Sequence, residues 1–130
     1  CLSRGLGDVY KRQTTDTEYL KWILDQGCFL GLDRYPGRLV SPHMRTVTLK
    51  KLMDMGYGER LCPSHDCICL HIHNEQADGT IAEQHDFHKS NPDQYLFMHR
   101  HVIPELQELG ATDRDIEMLF VDNPRRLFEA

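Results

Sequence analysis

Two short stretches decide the fold: CFLGLD at residues 28–33 and RLCPS at residues 60–64. Each is brief, apolar and bounded by turn-forming residues. That pattern suits a buried strand of a parallel sheet, where both faces are covered and alternation disappears. Pro63 is tolerable only where strand pairing stops, so the second strand is expected to end within residues 60–64. Between the two lies RYPGRLVSP, a loop by its proline and glycine content. Ser41 then caps a helix with Pro42 at its first position. Met44, Val47, Leu49, Leu52 and Met53 are expected to form its apolar face, and Gly56 to end it. Strand, helix and strand make one βα unit, whose crossover implies a parallel sheet. Asp33 and Asp66 then fall at the C-terminal ends of the strands, where chemistry gathers in such sheets.

The flanking segments extend the pattern. Thr15–Glu18 reads as a capping box, with Thr15 as cap and Glu18 reaching back. Leu20, Ile23 and Leu24 follow at helical spacing, and Gly27 is the expected stop. Residues 67–90 form a long loop rich in His, Asp and Asn, a length that in a compact domain is functional or disordered. NPDQYLFMHRHVIPELQELG, residues 91–110, has helical character that Pro104 is expected to break or restart. Thr112 caps DRDIEMLF, and Asn123-Pro124 is expected to open a last short helix. The first thirteen residues, CLSRGLGDVYKRQ, lack apolar periodicity and join nothing that follows. DVYKRQ also resembles one reading frame of a sequencing-library adapter. Residues 1–13 are therefore expected to be a non-native scar, the alternative being a natural disordered tail, and residues 14–130 to form the domain.

The 130 residues amount to one ordinary domain. Hydrophobic content of 40% and charged content of 27% suit a globular protein. No apolar run is long enough for a transmembrane helix. A net charge of −5 argues against a nucleic-acid surface. Five cysteines, an odd count without scaffold spacing, point to reduced thiols and a cytoplasmic setting.

Residues 61–73, LCPSHDCICLHIH, crowd three metal-ligating residue types together. One reading is a non-catalytic zinc-binding or interaction module on Cys62, Cys67, Cys69, His71 and His73. Structural zinc sites favour ligand pairs separated by a dozen or more residues. The spacings here run along one extended stretch and could wrap an ion only after a sharp bend. The bland reading makes Cys62 a small buried apolar residue and His71, His73, His85 and His88 solvated loop histidines. Asp66 stands apart. It follows an apolar strand directly, where a carboxylate needs a partner. A helix cap or an ion pair would satisfy it, and so would a role as metal ligand or general base at the mouth of a sheet or barrel.

Three motifs together, GCFLGLDRYPG (27–37), LKKLMDMGYGERLCPSHD (49–66) and DIEMLFVDNPRRLFEA (115–130), resemble the phosphotriesterase-like branch of the amidohydrolase superfamily. The resemblance covers residues 14–130 and is poor over residues 67–90. It implies an α/β fold, the C-terminal part of a (β/α)₈ TIM barrel: about strands seven and eight with their helices, an incomplete barrel. It also implies a metal-dependent hydrolase in which a metal-bridged hydroxide attacks an ester, lactone or phosphotriester. The cofactors implied are two divalent metal ions, zinc being expected, and a homodimer is a possible assembly of the complete protein. Asp66, in SHD, matches the aspartate ending strand eight, which binds one metal and accepts a proton from the attacking water. Arg34 matches a strand-seven position near the substrate, with Asp33, Tyr35 and Cys67 as further substrate-side candidates. Asp16 matches an acidic residue that joins the proton relay. The strand-six histidine of the family would fall at position 13, where this chain has Gln13. With one of six metal ligands present, and a barrel requiring roughly 250 residues, the chain by itself is expected to be inert.

Overall fold

The computed structural model describes residues 14–36, 40–65, 67 and 92–129. Helix α1 (Thr17–Asp25) leads into strand β1 (Leu30–Leu32). Its cap differs from the expectation. Asp16, not Thr15, is the N-cap, with its Oδ1 accepting from the amides of Glu18 (3.1 Å) and Tyr19 (3.3 Å). A carboxylate there satisfies orphan amides and also faces the positive end of the helix dipole, which a threonine cannot match. Leu20 and Leu24 are buried, and Gly27 takes φ +81, the left-handed stop expected of it.

Strand β2 (Leu61–Pro63) pairs parallel with β1, Leu30 opposite Leu61, Gly31 opposite Cys62 and Leu32 opposite Pro63. The Ser64 amide donates to the Leu32 carbonyl (3.0 Å), which closes the ladder just past the proline. Both strands are shorter than the apolar stretches that announced them. They run the same way, so residues 33–36 and 64–65 leave the sheet at one end.

Helix α2 (Pro42–Leu52) bridges the strands. The Ser41 hydroxyl accepts from the Met44 amide, as its position before Pro42 implied. The buried face is a correction to the apolar count. Met44 is exposed, and the buried positions are Arg45, Thr46, Thr48, Leu49 and Leu52. The threonines tolerate burial because each hydroxyl donates to a carbonyl one turn back, Thr46 to Pro42 (3.0 Å) and Thr48 to Met44 (2.8 Å). Gly56, at φ +91, ends the helical run, and a 3₁₀ turn (Gly58–Arg60) carries the chain into β2.

After the undescribed residues 68–91, a short turn (Gln94–Leu96) opens a helical segment that Pro104 does not break. A widened π turn (Met98–Val102) passes directly into α3 (Ile103–Glu108), with the Ile103 amide donating to the Met98 carbonyl five residues back. Proline has no N–H and its ring crowds the carbonyl four residues earlier; widening the preceding turn relieves both without stopping the helix. The same device recurs. Helix α4 (Asp113–Glu117) starts at Thr112, passes through a π turn (Met118–Asp122) and continues as α5 (Asn123–Glu129) across Pro124. The expected last helix is present and begins at Asn123, joined directly to the widened turn before it.

The core joins Leu20 and Leu24 of α1, Leu32, Leu49, Leu52, Leu61, Val102, Leu106 and Leu119. A buried polar tie crosses it. Asn123 Nδ2 donates to the carbonyls of Gly58 (2.7 Å) and Leu61 (2.8 Å), fastening α5 to the entry of β2. Among the described residues, no helix is long and apolar enough to cross a membrane.

Candidate active site at the C-terminal strand ends

Directly after β1, Asp33 and Arg34 leave the sheet, and Arg34 adopts φ +60. Left-handed backbone is uncommon for a residue with a β-carbon, and where it occurs it marks a turn or a functional constraint. The neighbouring Asp33 carbonyl accepts from Nη1 of Arg45, which reaches it from the first turns of α2. The Arg45 side chain is buried, at 3% exposure. Its Nε and Nη2 have no partner among the described residues. Burial pulls the guanidinium below its ordinary pKa, and the nearby charge of Asp33 opposes that shift.

Tyr35, expected on the substrate side, is instead fully buried as part of the core. Burial pushes its hydroxyl well above the ordinary tyrosine value, so it stays neutral. Asp16 sits at the N-terminus of α1, where its carboxylate already serves two amides.

At the end of β2, the His65 ring meets the Tyr95 ring edge to face, with centroids 5.0 Å apart, and His65 Nδ1 accepts from the Cys67 amide (2.9 Å). Cys67 is half-buried. Asp66, Gln13 and the loop positions Cys69, His71, His73, His85 and His88 lie outside the described residues, as do all of 1–13 and 68–90. Among the described residues, no three His, Cys, Asp or Glu side chains come together as a metal-holding group. Cys62 is half-buried within β2, and burial raises its thiol pKa, which works against the thiolate a zinc cage requires. The Asp93 carboxylate binds His101 and Arg100, each at 2.6 Å, and those two contacts hold it below the usual carboxylate range.

The residue that sequence reasoning missed is Arg45. An arginine one step off an apolar stripe reads as a solvated charge. The available signal was its place in the first turns of a helix that starts close beyond a strand end, within reach of that strand's last carbonyls.

A parallel βα pair with its polar residues gathered beyond the carboxyl ends of the strands is the arrangement of an α/β enzyme. Comparison with known proteins makes this specific. The phosphotriesterase family is matched across residues 3–128, and the chain belongs to that family. A phosphotriesterase homology protein of Mycobacterium tuberculosis is 31% identical over 119 residues, covering 89% of this chain and 34% of the relative. An aryldialkylphosphatase of Saccharolobus solfataricus is 31% identical over 117 residues, 88% of this chain and 35% of the relative. Among solved structures, the phosphotriesterase from M. tuberculosis superposes with a TM-score of 0.75 at 30% identity, over 92% of this chain and 35% of that one. A point mutant of an organophosphorus hydrolase from Deinococcus radiodurans gives 0.73 at 26% identity, over 88% and 35%. These structures are TIM barrels, and the two-stranded parallel sheet with its helices is consistent with part of one. The chain spans about a third of the length of the relatives it matches.

Proposed function

We propose that the chain is the C-terminal part of a metal-dependent hydrolase, carrying strands seven and eight of a (β/α)₈ barrel with their helices. Its substrate class is an ester, lactone or phosphotriester. The observation that carries the reading is Arg34, held in left-handed backbone immediately beyond β1, at the end of the sheet where barrel enzymes collect their reacting groups. A guanidinium there donates hydrogen bonds to the carbonyl or phosphoryl oxygen of a substrate, and its planar fork fits a phosphoryl group in two-point contact. Asp33, beside it, either contacts the substrate or steadies the turn.

Asp66 is the proposed metal ligand and proton acceptor of this chain. Divalent metal ions, when bound, activate water and polarise the oxygen under attack. The described residues do not themselves assemble such a site, and their part is to bind and orient substrate. Asp16 keeps its place in the proposed relay only if it can leave its cap contacts, and Tyr35 is proposed as core rather than substrate contact.

The test is steady-state kinetics on a lactone and on a phosphotriester, together with elemental analysis, in the complete protein. Arg34→Ala should lower kcat/KM with metal content intact. Asp66→Asn should lower kcat and the occupancy of one metal. Full activity with two metals per chain in Asp66→Asn would refute the assignment, and metal loss in Arg34→Ala would show that the roles of the two strand ends are exchanged.

A further inference from the structure

We propose that Arg45 is a positioning residue: it pins the Asp33–Arg34 peptide so that Arg34 is presented at the mouth of the site. The inference rests on the assignment of Arg34 to the substrate. It begins from a geometric fact about the chain. The carbonyl of Asp33 and the amide of Arg34 belong to one peptide plane. Rotating that plane changes ψ of residue 33 and φ of residue 34 together, and little else. A donor locked onto the Asp33 carbonyl therefore selects φ at Arg34. In this protein the donor is Arg45 Nη1, and the φ that results is +60.

The intrinsic backbone preference of the residue does not favour that angle. Residue 34 has a β-carbon, and only glycine, or less often asparagine and aspartate, visits the left-handed region routinely. A conformation of this kind persists when the surroundings impose it. Arg45 can impose it because it is itself fixed. It lies in the first turns of α2, where the Ser41 cap and the Thr46 contact to Pro42 anchor the backbone, and its side chain is enclosed.

The arrangement is also a poor one for stability alone. A buried guanidinium bonded through one nitrogen, with Nε and Nη2 lacking partners among the described residues, is costly to desolvate. An apolar side chain at position 45 would fill the space between α2 and β1 without that cost. What an apolar residue could not do is hold the carbonyl of Asp33. Arg45 cannot act on substrate directly from its enclosed position, so any effect it has on the reaction passes through the strand end that it grips.

The experiment has two arms. In the first, the intraresidue amide–Hα NOE of Arg34 is measured by NMR, since a strong NOE is the mark of positive φ. It should be strong in the wild-type protein, weak in Arg45→Met, which keeps the bulk and removes the donor, and strong again in Arg45→Lys, which restores one. In the second arm, kcat/KM of the complete enzyme should fall in Arg45→Met to the level of Arg34→Ala, on the order of ten- to a hundredfold for a lost charged hydrogen bond. The double variant should fall no further, and metal content should stay unchanged throughout. A merely structural role would leave the Arg34 NOE strong in a folded Arg45→Met, or would make the two losses multiply; either result overturns the proposal. If Arg45→Met does not fold, Arg45→Gln, polar but too short to reach the Asp33 carbonyl, decides: a weak NOE supports the clamp and a strong one overturns it. Full kcat/KM in Arg34→Ala would instead remove the substrate role of Arg34, an outcome separate from the NOE, which still reports whether Arg45 sets the backbone.

Discussion

Asn123→Ala removes a buried side-chain tie between the C-terminal helix and the entry of β2. Asn123 is fully buried, and both protons of its amide are used, on the carbonyls of Gly58 at 2.7 Å and Leu61 at 2.8 Å. Each such bond contributes roughly 0.5–1.5 kcal/mol net, and leaving a buried acceptor without its donor costs about 1–3 kcal/mol instead. The two carbonyls belong to Gly58 and Leu61, both buried, so water replaces the lost donors poorly. A loss of about 2–4 kcal/mol follows from the same range, with a small cavity adding to it. For a chain of this size that lowers Tm by on the order of 10 °C. Asn123→Asp sharpens the reasoning. It keeps the shape but turns a double donor into an acceptor facing two carbonyl oxygens. At neutral pH it should be at least as damaging as alanine. Below the usual carboxylate range of about 4 the acid regains one proton to donate, and the deficit relative to wild type should shrink. Thermal and urea unfolding followed by circular dichroism, at pH 7 and pH 4, read both effects. The contact lies at the start of β2, away from the strand ends that carry the candidate site, so KM in the complete enzyme should be unchanged. A loss below about 0.5 kcal/mol in Asn123→Ala, at the low edge of a single hydrogen bond, would refute the tie.

Asp66→Asn in the complete protein should cost at least about 10³-fold in kcat, on the order of 4 kcal/mol, read by steady-state kinetics beside metal analysis. Cys62, whose thiol burial pushes upward, should alkylate slowly at neutral pH and faster as pH rises, at a rate indifferent to chelator; chelator-dependent protection of Cys62 and Cys67, followed by mass spectrometry, would favour the zinc module. Asp115 accepts from the Thr112 amide at 2.8 Å, and that bond, with the Thr112 hydroxyl, holds its carboxyl below the usual range. A depressed folded pKa stabilises above the ordinary value of about 4 and is lost as pH falls through the folded one. Acid titration of stability should therefore flatten in Asp115→Ala, and Thr112→Ala should cost about 1 kcal/mol at neutral pH. Deleting residues 1–13 should leave helix content and Tm unchanged; unfolding on deletion would make them part of the domain.

The amino-acid sequence by itself determined what is local. Residues 30–32 and 61–63 fall inside the two apolar stretches that announced strands. The Ser41-Pro42 start, the Thr112 cap and the left-handed stops at Gly27 and Gly56 each depend on a few neighbouring residues. The family resemblance was legible for the same reason, since motifs at the strand ends are continuous in sequence. Tertiary structure decided whatever needs a distant partner. Apolar periodicity placed Met44 on the buried face of α2, and the fold buries Arg45, Thr46 and Thr48 there. A polar side chain can go inside once its hydrogen bonds are met, and the Asp33 carbonyl that receives Arg45 comes from another element. Tyr35 was a substrate-side candidate by its place beyond β1, and only the packed structure shows its ring buried in the core. Pro104 read as a break or restart, yet a widened turn carries the chain from helix to helix there, a turn of the same kind precedes Pro124, and packing against the core holds both in place. Asn123 opens the last helix as its position before Pro124 implied, but its side-chain partners lie 65 and 62 residues earlier, a separation no local pattern spans.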